Sequence, residues 1–483
     1  MPERYHIHTV PTPARFRRVG KFGSADWRED CSRCKNCVKL RCLYEVYGSE
    51  SAHNRNAVAP VSPVYECKSC LSCVQGCTKG LLSLTVNPEF LALGDAYWRP
   101  DMISTTWDQA ESGRIPVSGA GYRGLFSGPG FDAMWTDMSE IVRPTRDGIH
   151  GREYINTSVD IGAKPMRLEF DANGAVKNAT SLLEVMMPVL LDTAPWGEPC
   201  EATLRARISA AAALRTLAVV PVQHLSVVAP EQRQFAIPLF PAEEVLAQDG
   251  ALSQFRMVEI ADGRASVSIT AQLQEKNKGL LVGVRLPLRQ DCAQRVLELH
   301  DGGVSVIHLC ANFQGRERPP QEPKSKIQDP KSAGPRFVKE VLREVHGTLV
   351  KNRVRDEVTL IASGGIALAE HMAKAVICGA DLVGIDIPLL VALGCHVCSR
   401  GGTEEGCSVH QCNGGCPAQV GVGEVPYAAQ RMVNLMGAWH SQLIEVLGAM
   451  GIREVRRLRG EVGRAMFLED LERDAFKDLV RSA

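Results

Sequence analysis

The sequence has no excess of either charge. Its 55 Lys and Arg residues balance 55 Asp and Glu residues, so the formal net charge is zero at pH 7. A nucleic-acid backbone is held by a surplus of cations, so no nucleic-acid partner is expected. No apolar run approaches the ~20 residues a membrane-spanning helix needs, and no membrane span is expected. The stretch from Met1 to Phe16 is polar and broken by prolines, without the hydrophobic centre of an export signal. A cytoplasmic location is therefore the expectation. No G-x-G-x-x-G turn opens a helix, which argues against a dinucleotide site. The glycine-rich stretch Ile115 to Gly130 lacks the Lys-Ser/Thr that completes a phosphate loop. The mix of 45% hydrophobic and 23% charged residues is that of a globular protein. The 483 residues allow about two to four domains.

Cysteine is abundant instead: 17 residues, unevenly placed. Eight lie between Cys31 and Cys77, and five between Cys395 and Cys416. Cys200, Cys292, Cys310 and Cys378 stand singly among apolar neighbours and read as small buried hydrophobes. Clustered thiols in an unexported chain point to metal rather than disulfides. The first region reads Cys31-x2-Cys34-x2-Cys37-x4-Cys42, then Cys67-x2-Cys70-x2-Cys73-x3-Cys77. Two such runs form the two-cluster ferredoxin pattern, in which the last Cys of each run serves the other cluster. One [4Fe-4S] cluster is assigned to Cys31, Cys34, Cys37 and Cys77, and a second to Cys67, Cys70, Cys73 and Cys42. Zinc is the competing reading, but the third Cys of each run is surplus to paired zinc ligands. Cys42 lies one residue late, and Thr78 stands where a Pro usually follows Cys77. Arg33, Lys35, Lys39, Arg41, Lys68 and Lys79 either guide an acidic electron partner or offset cluster charge. Residues 1–95 are read as a ferredoxin-like domain, with Leu43 to Tyr65 as an insertion loop.

Residues 96–183 read as a connecting segment with several tight turns. From residue 184 strands and helices alternate, the mark of a parallel α/β fold. Strands are expected at Met187–Asp192, Leu217–Val222, Leu280–Leu286, Val304–Cys310, Val358–Ala362 and Leu382–Ile385, with room for two more in 230–270. Helices are expected at Ala202–Leu214, after Leu286 through Leu297, and at Leu368–Cys378. The fold class is thus a TIM (β/α)8 barrel over residues 184–426, followed by a helical extension over 427–483. Ser363, Gly364 and Gly365 follow strand seven, and Gly384 lies in strand eight. Loops at these places hold phosphate in such barrels, and one phosphate site fits flavin mononucleotide (FMN). His308 reads as a packed core histidine, His300 as a loop residue, and Arg316 to Pro335 as a lid or docking loop.

Several stretches resemble the glutamate synthase large subunit, in particular its short archaeal-type form with a fused ferredoxin domain. They are Gln109 to Gly119, Pro188-Val-Leu-Leu-Asp-Thr-Ala-Pro-Trp-Gly197, Ser363-Gly-Gly-Ile366 with Ala375 to Asp381, Leu389 to Cys395 ending in Cys416-Pro417, and the last helix, Arg431 to Met450. The resemblance implies bound FMN, a further iron–sulfur cluster beside it, and reductive amination of 2-oxoglutarate to glutamate. It also implies a redox partner: ferredoxin, or a flavin or NAD(P)H oxidoreductase subunit. Arg285 lies on a strand matching one that carries a flavin-contacting Lys in the family, and reads either as a catalytic cation that stabilises reduced flavin or as a salt bridge in the barrel mouth; Ala194, Pro195 and Trp196 form the flavin-facing turn. Cys395, Cys407, Cys412 and Cys416 are candidate ligands of the barrel cluster, [3Fe-4S] or [4Fe-4S], with Cys398 a fifth thiol and zinc the alternative. The family's Met-Ser-Phe-Gly turn is here Ala194-Pro195-Trp196-Gly197, and its Lys-Pro-Gly-Glu-Gly-Gly stretch is missing. No N-terminal Cys nucleophile stands at the start, so no glutamine amidotransferase is expected on the chain. Two functions follow: a glutamate synthase-like oxidoreductase, or an electron-transfer subunit of a larger redox complex with FMN as a relay.

Overall fold

The computed structural model describes residues 5–14, 19–43 (except 33 and 35), 70–115, 126–136, 154–248 (except 166, 178 and 179), 252–318 (except 278), 334–397 and 416–480. Eight parallel strands close into a barrel in sequence order: β1 Val189–Leu191, β2 Ala218–Pro221, β3 Ala236–Phe240, β4 Met257–Ala261, β5 Leu281–Pro287, β6 Val306–Cys310, β7 Thr359–Ser363 and β8 Leu382–Ile385. A barrel strand is covered on both faces, so nearly continuous apolar runs such as Val189-Leu-Leu191 suit it. The two strands expected somewhere in 230–270 are β3 and β4.

The outer helices include α1 Pro100–Ser112, α2 Glu201–Ala213, α3 Ser266–Lys276, α4 Cys292–Asp301, α5 Val338–Lys351, α6 Ala369–Ile377, α7 Ile387–Ala392, α8 Val425–Ala449 and α9 Leu468–Val480. His300 therefore ends a helix rather than sitting in a loop. No described helix is long and apolar enough to cross a membrane.

Two places differ from expectation. Leu183–Val185 stays outside the barrel and pairs antiparallel with Val159–Ile161. Beside this pair, Gly162 N donates to Thr359 Oγ1 at 3.0 Å, at the N-terminal end of β7. The segment after residue 96 holds the regular helix α1, with Met102, Ile103, Trp107 and Ala110 buried on one face.

Near the N-terminus, residues 5–14 run along α8. Val10 N donates to Asn434 Oδ1 at 3.0 Å, and Asn434 Nδ2 returns a bond to Val10 O at 2.8 Å. Tyr427 Oη donates to Pro13 O at 2.7 Å, and Gly437 leaves room for Thr9. A small antiparallel sheet, Phe22–Trp27 with Leu82–Val86, brackets the first cysteine region. The chain then enters the main core through Phe90 and Leu93.

Candidate active site and cluster ligands

The C-terminal ends of the strands are where barrels of this kind carry out chemistry. Here they enclose a charged cluster. Arg285 on β5 pairs with Asp192, just past β1, and its Nε donates to Cys310 Sγ at 3.1 Å. Its Nη1 lies 3.4 Å from Glu259 Oε2 on β4. His308 on β6 shares a proton with Glu259 through Nδ1 at 2.8 Å, while its Nε2 stands 3.7 Å from Asp192 Oδ2. The β5–β6 register sets Arg285 beside His308 and Pro287 beside Cys310, so His308 and Cys310, two residues apart, share the inward face of β6. Charges so deep are tolerated only when paired.

The pairing decides protonation. Burial works against charge on Asp192, but Arg285 and His308 outweigh it and hold the carboxyl below its usual range. Burial likewise opposes charge on His308, yet Cys310 and Glu259 push it up to about 10. Burial would raise the Cys310 thiol; Arg285 and His308 bring it below its ordinary value instead. Cys310 is thus not the small hydrophobe expected from its apolar sequence neighbours, because its spatial neighbours are charged. His308 is buried as expected, but as a member of this cluster.

Asp386, just past β8, is pushed up to about 7, first by burial and then by the Asp192 carboxylate. Its side chain also accepts the Ile387 N–H at 2.6 Å. A folded-state pKa raised above the unfolded value means the folded chain binds the extra proton. Stability from this group is therefore lost as pH rises from about 4 to about 7. Asp386→Asn keeps the acceptor and removes the ionisation. It is expected to raise stability by up to about 4 kcal/mol at about pH 8, and by less than half as much at about pH 5. Thermal melts at the two pH values check this.

Trp196 lies over the mouth with its ring edge-to-face against Phe313, centroids 6.1 Å apart. Phe313 O accepts from Trp98 Nε1 at 2.9 Å. In the same turn Ala194 is buried and Pro195 exposed, and Gly197 N closes onto Ala194 O at 2.9 Å. Thr193 donates to Glu198 at 2.8 Å, and Glu198 also pairs with Arg207 of α2 at 2.5 Å.

After β7, Gly364 and Gly365 adopt φ of 89° and 71°. A Cβ at Gly364 would lie 2.5 Å from Asn312 O, and one at Gly365 would lie 2.5 Å from Gly315 Cα. The two glycines are therefore required by the neighbouring loop after β6 as well as by their own backbone. Tyr97 Oη donates to Gly365 O. The N-terminus of α6, which follows, has no side-chain cap. Gly384 is bare because a Cβ would meet Ser363 at 2.9 Å, Asp192 at 3.1 Å and His308 at 3.2 Å.

Of the first cysteine region, Cys31, Cys34, Cys37, Cys42, Cys70, Cys73 and Cys77 lie among the described residues. Cys77 Sγ accepts the Leu81 N–H at 3.3 Å. That bond leads a group of backbone N–H donors that lowers its thiol below the ordinary value. Cys67 lies outside the described residues, as do Lys68 and most of the insertion loop. Of the second region, Cys395 and Cys416 are buried, and Val397 has a left-handed φ of 49°. Cys398, Cys407 and Cys412 lie outside the described residues, as does most of the loop from Arg316 to Pro335.

Asp192, Glu259, Cys310 and Asp386 escaped the sequence reading as site residues. Their common signal is an ionisable or nucleophilic residue inside, or directly after, an apolar strand. Another buried group, Asp132, Glu370 and His371, could in outline hold a metal. However, His371 Nδ1 accepts the Ala367 N–H, so Nε2 carries the proton and donates to Asp132 at 2.9 Å. Asp132 also pairs with Arg99 at 2.6 Å. The group ties residues 130–133 to α6.

Residues 331–453 match the conserved region in glutamate synthase. Relatives similar along most of the chain are archaeal-type glutamate synthases [NADPH]. That of Dehalococcoides mccartyi is 23% identical over 89% of this chain and 92% of its own. That of Thermotoga maritima is 24% identical over 92% and 94% respectively. The archaeal glutamate synthase [NADPH] of Archaeoglobus fulgidus is 23% identical over 97% of both chains. Among solved structures, a flavocytochrome b2 mutant with pyruvate bound covers 76% of this chain and 82% of that chain, at 12% identity and a TM-score of 0.42, too distant to support inference. Along most of its length the chain is thus similar to archaeal-type glutamate synthases, and it is a glutamate synthase-like oxidoreductase.

Proposed function

We propose that the chain is an FMN-dependent iron–sulfur enzyme that forms glutamate from 2-oxoglutarate and ammonia. The observation that carries this reading is the match to archaeal-type glutamate synthases along nearly the whole of both chains. The residues present fit the cofactors. Arg285 Nη1 is buried at the mouth and, although paired in charge with Glu259 at 3.4 Å, makes no hydrogen bond, which leaves an N–H suited to a flavin carbonyl. Gly364, Gly365 and the uncapped start of α6 suit its phosphate. Ser363, Gly384, Ala194 and Pro195 complete the proposed contacts, and Trp196 bounds the substrate side. Seven described thiols in one small unit, one of them fed by backbone N–H groups, suit two [4Fe-4S] clusters. Cys395 and Cys416, with Cys407 and Cys412, would hold a third.

Bound FMN would take electrons from the clusters and reduce the imine of 2-oxoglutarate. The chain's own residues hold the charge and the protons around that chemistry. Arg285 places positive charge at the mouth, and Asp192 and Glu259 fix its orientation. Asp386, which changes protonation near neutrality, offers an exchangeable proton there. Trp196 and Phe313 keep water from one side. The relatives are named for NADPH, which favours an NADPH-oxidising partner subunit over free ferredoxin as donor.

The relay reading is favoured by one feature. Arg207, Arg285, Arg289 and Arg295 at the mouth each already face a carboxylate, whereas a dicarboxylate substrate needs cations to receive it. Stopped-flow spectroscopy on anaerobically purified protein separates the readings. Reduced ferredoxin should bleach the flavin band, and 2-oxoglutarate with ammonia should restore it while glutamate forms. Bleaching without recovery, in protein with intact flavin and iron, would sink glutamate formation and leave the relay.

A further inference from the structure

Cys310 has no part in the proposed reaction, yet its surroundings are those of a reactive thiol. Its Sγ receives Arg285 Nε–H at 3.1 Å. It closes the inward face of β6, level with Ser363 at the end of β7. Its exposure of 7% places it at the rim of the core rather than within it. A second observation concerns the residue that shares the thiol's face. His308 Nε2 is wholly buried and makes no hydrogen bond, with the Asp192 carboxylate 3.7 Å away, beyond hydrogen-bond reach. Such an orphan is costly, and it stands on the residue two positions before Cys310, on the same face.

We propose that Cys310 is a site of reversible oxidation by peroxide-class oxidants, with His308 Nε2 as the partner of the oxygen added to sulfur. The thiolate sulfur attacks one peroxide oxygen; the S–O bond forms as the O–O bond breaks, and hydroxide leaves. The sulfur is oxidised by two electrons to sulfenic acid, and the peroxide is reduced by two. A thiol later reverses the step by condensing to a disulfide, which further thiol reduces. Arg285 holds the sulfur in its nucleophilic form, which sets reactivity. The groups facing the sulfur are Arg285 from β5 and His308 from its own strand, with Asp192 beyond β1 and Glu259 on β4 balancing them. Oxidation would remove one of the three anionic partners of Arg285 and so change the charge presented at the mouth. This last consequence rests on the proposed flavin site; the oxidation itself does not.

The test uses the whole chain, purified anaerobically. Hydrogen peroxide is added with dimedone as the sulfenic-acid trap, and peptides are quantified by mass spectrometry. Cys292 and Cys378 are internal controls, because burial pushes their thiols up to about 11 and about 12. The Cys310 peptide should be labelled about tenfold faster than either control, and its rate should level off at a lower pH than theirs. Arg285→Lys, which keeps the charge but loses the Nε–H, should slow it. His308→Gln should shorten the lifetime of the trapped species without changing the labelling of the controls. Labelling no faster than the controls, or a Cys310 rate that levels off no earlier than theirs in the wild-type chain, would overturn the proposal. Neither readout depends on flavin turnover, so failure here leaves the enzymatic reading standing.

Discussion

Glu259→Gln is expected to cost about 3 to 5 kcal/mol of stability, the usual penalty for breaking one side of a buried charged group. Glu259 is fully buried and holds both His308 and Arg285. With Gln in its place the two cations face only Asp192 and Cys310. The loss should depend on pH, and its sign follows from His308, pushed up to about 10. A raised histidine pKa contributes stability that is complete below the unfolded value of about 6.5 and is lost as pH rises through the folded value. The variant should therefore be penalised more at about pH 6 than at about pH 9.5. Urea melts at both values measure it. Equal penalties would mean that His308 is neutral in the folded chain, and that Glu259 acts through Arg285 alone.

The second large effect concerns iron. If the last cysteine of each run serves the other cluster, Cys77→Ser and Cys34→Ser break the same cluster and each removes about four irons. The Cys34/Cys77 double replacement should then lose no more than either single one. Replacing Cys34 and Cys42 together should lose about eight. Iron and sulfide analysis of anaerobic protein reads all of these directly. Loss of about eight irons from the Cys34/Cys77 pair would show that each run holds its own cluster, and stoichiometric zinc without sulfide would end the iron–sulfur reading.

The barrel was legible where both faces of a strand are apolar, as at Leu281–Leu286 and Leu382–Ile385. It was faint at β3 and β4, where Pro238 and the buried Glu259 interrupt the run. Helix α1 was hidden for a related reason: its buried face includes Thr106 and Gln109, which break the apolar stripe a reader looks for. The glycines after β7 were legible as special, since little but glycine is comfortable at positive φ. What the sequence could not convey was the company of Cys310. Leu309 and Ala311 beside it are apolar, whereas Arg285 comes from 25 positions away and acts through the closure of the barrel. Motifs written in local spacing, such as the cysteine runs, survive in one dimension. Clusters assembled across strands do not.

If the small N-terminal unit carries the proposed clusters, its two attachments limit how electrons can travel. Pro13 is pinned to α8, and Phe22 begins the bracketing sheet nine positions later, a leash of at most about 32 Å. On the other side, Val86 ends that sheet four positions before Phe90, which is buried in the main core, so that tether is no longer than about 14 Å. A unit leashed at both ends cannot leave. Anything it hands to the barrel moves in a first-order step, with no encounter to wait for. The rate of that step should be indifferent to dilution and to competing carriers in solution, and only the loading of the unit from outside remains bimolecular.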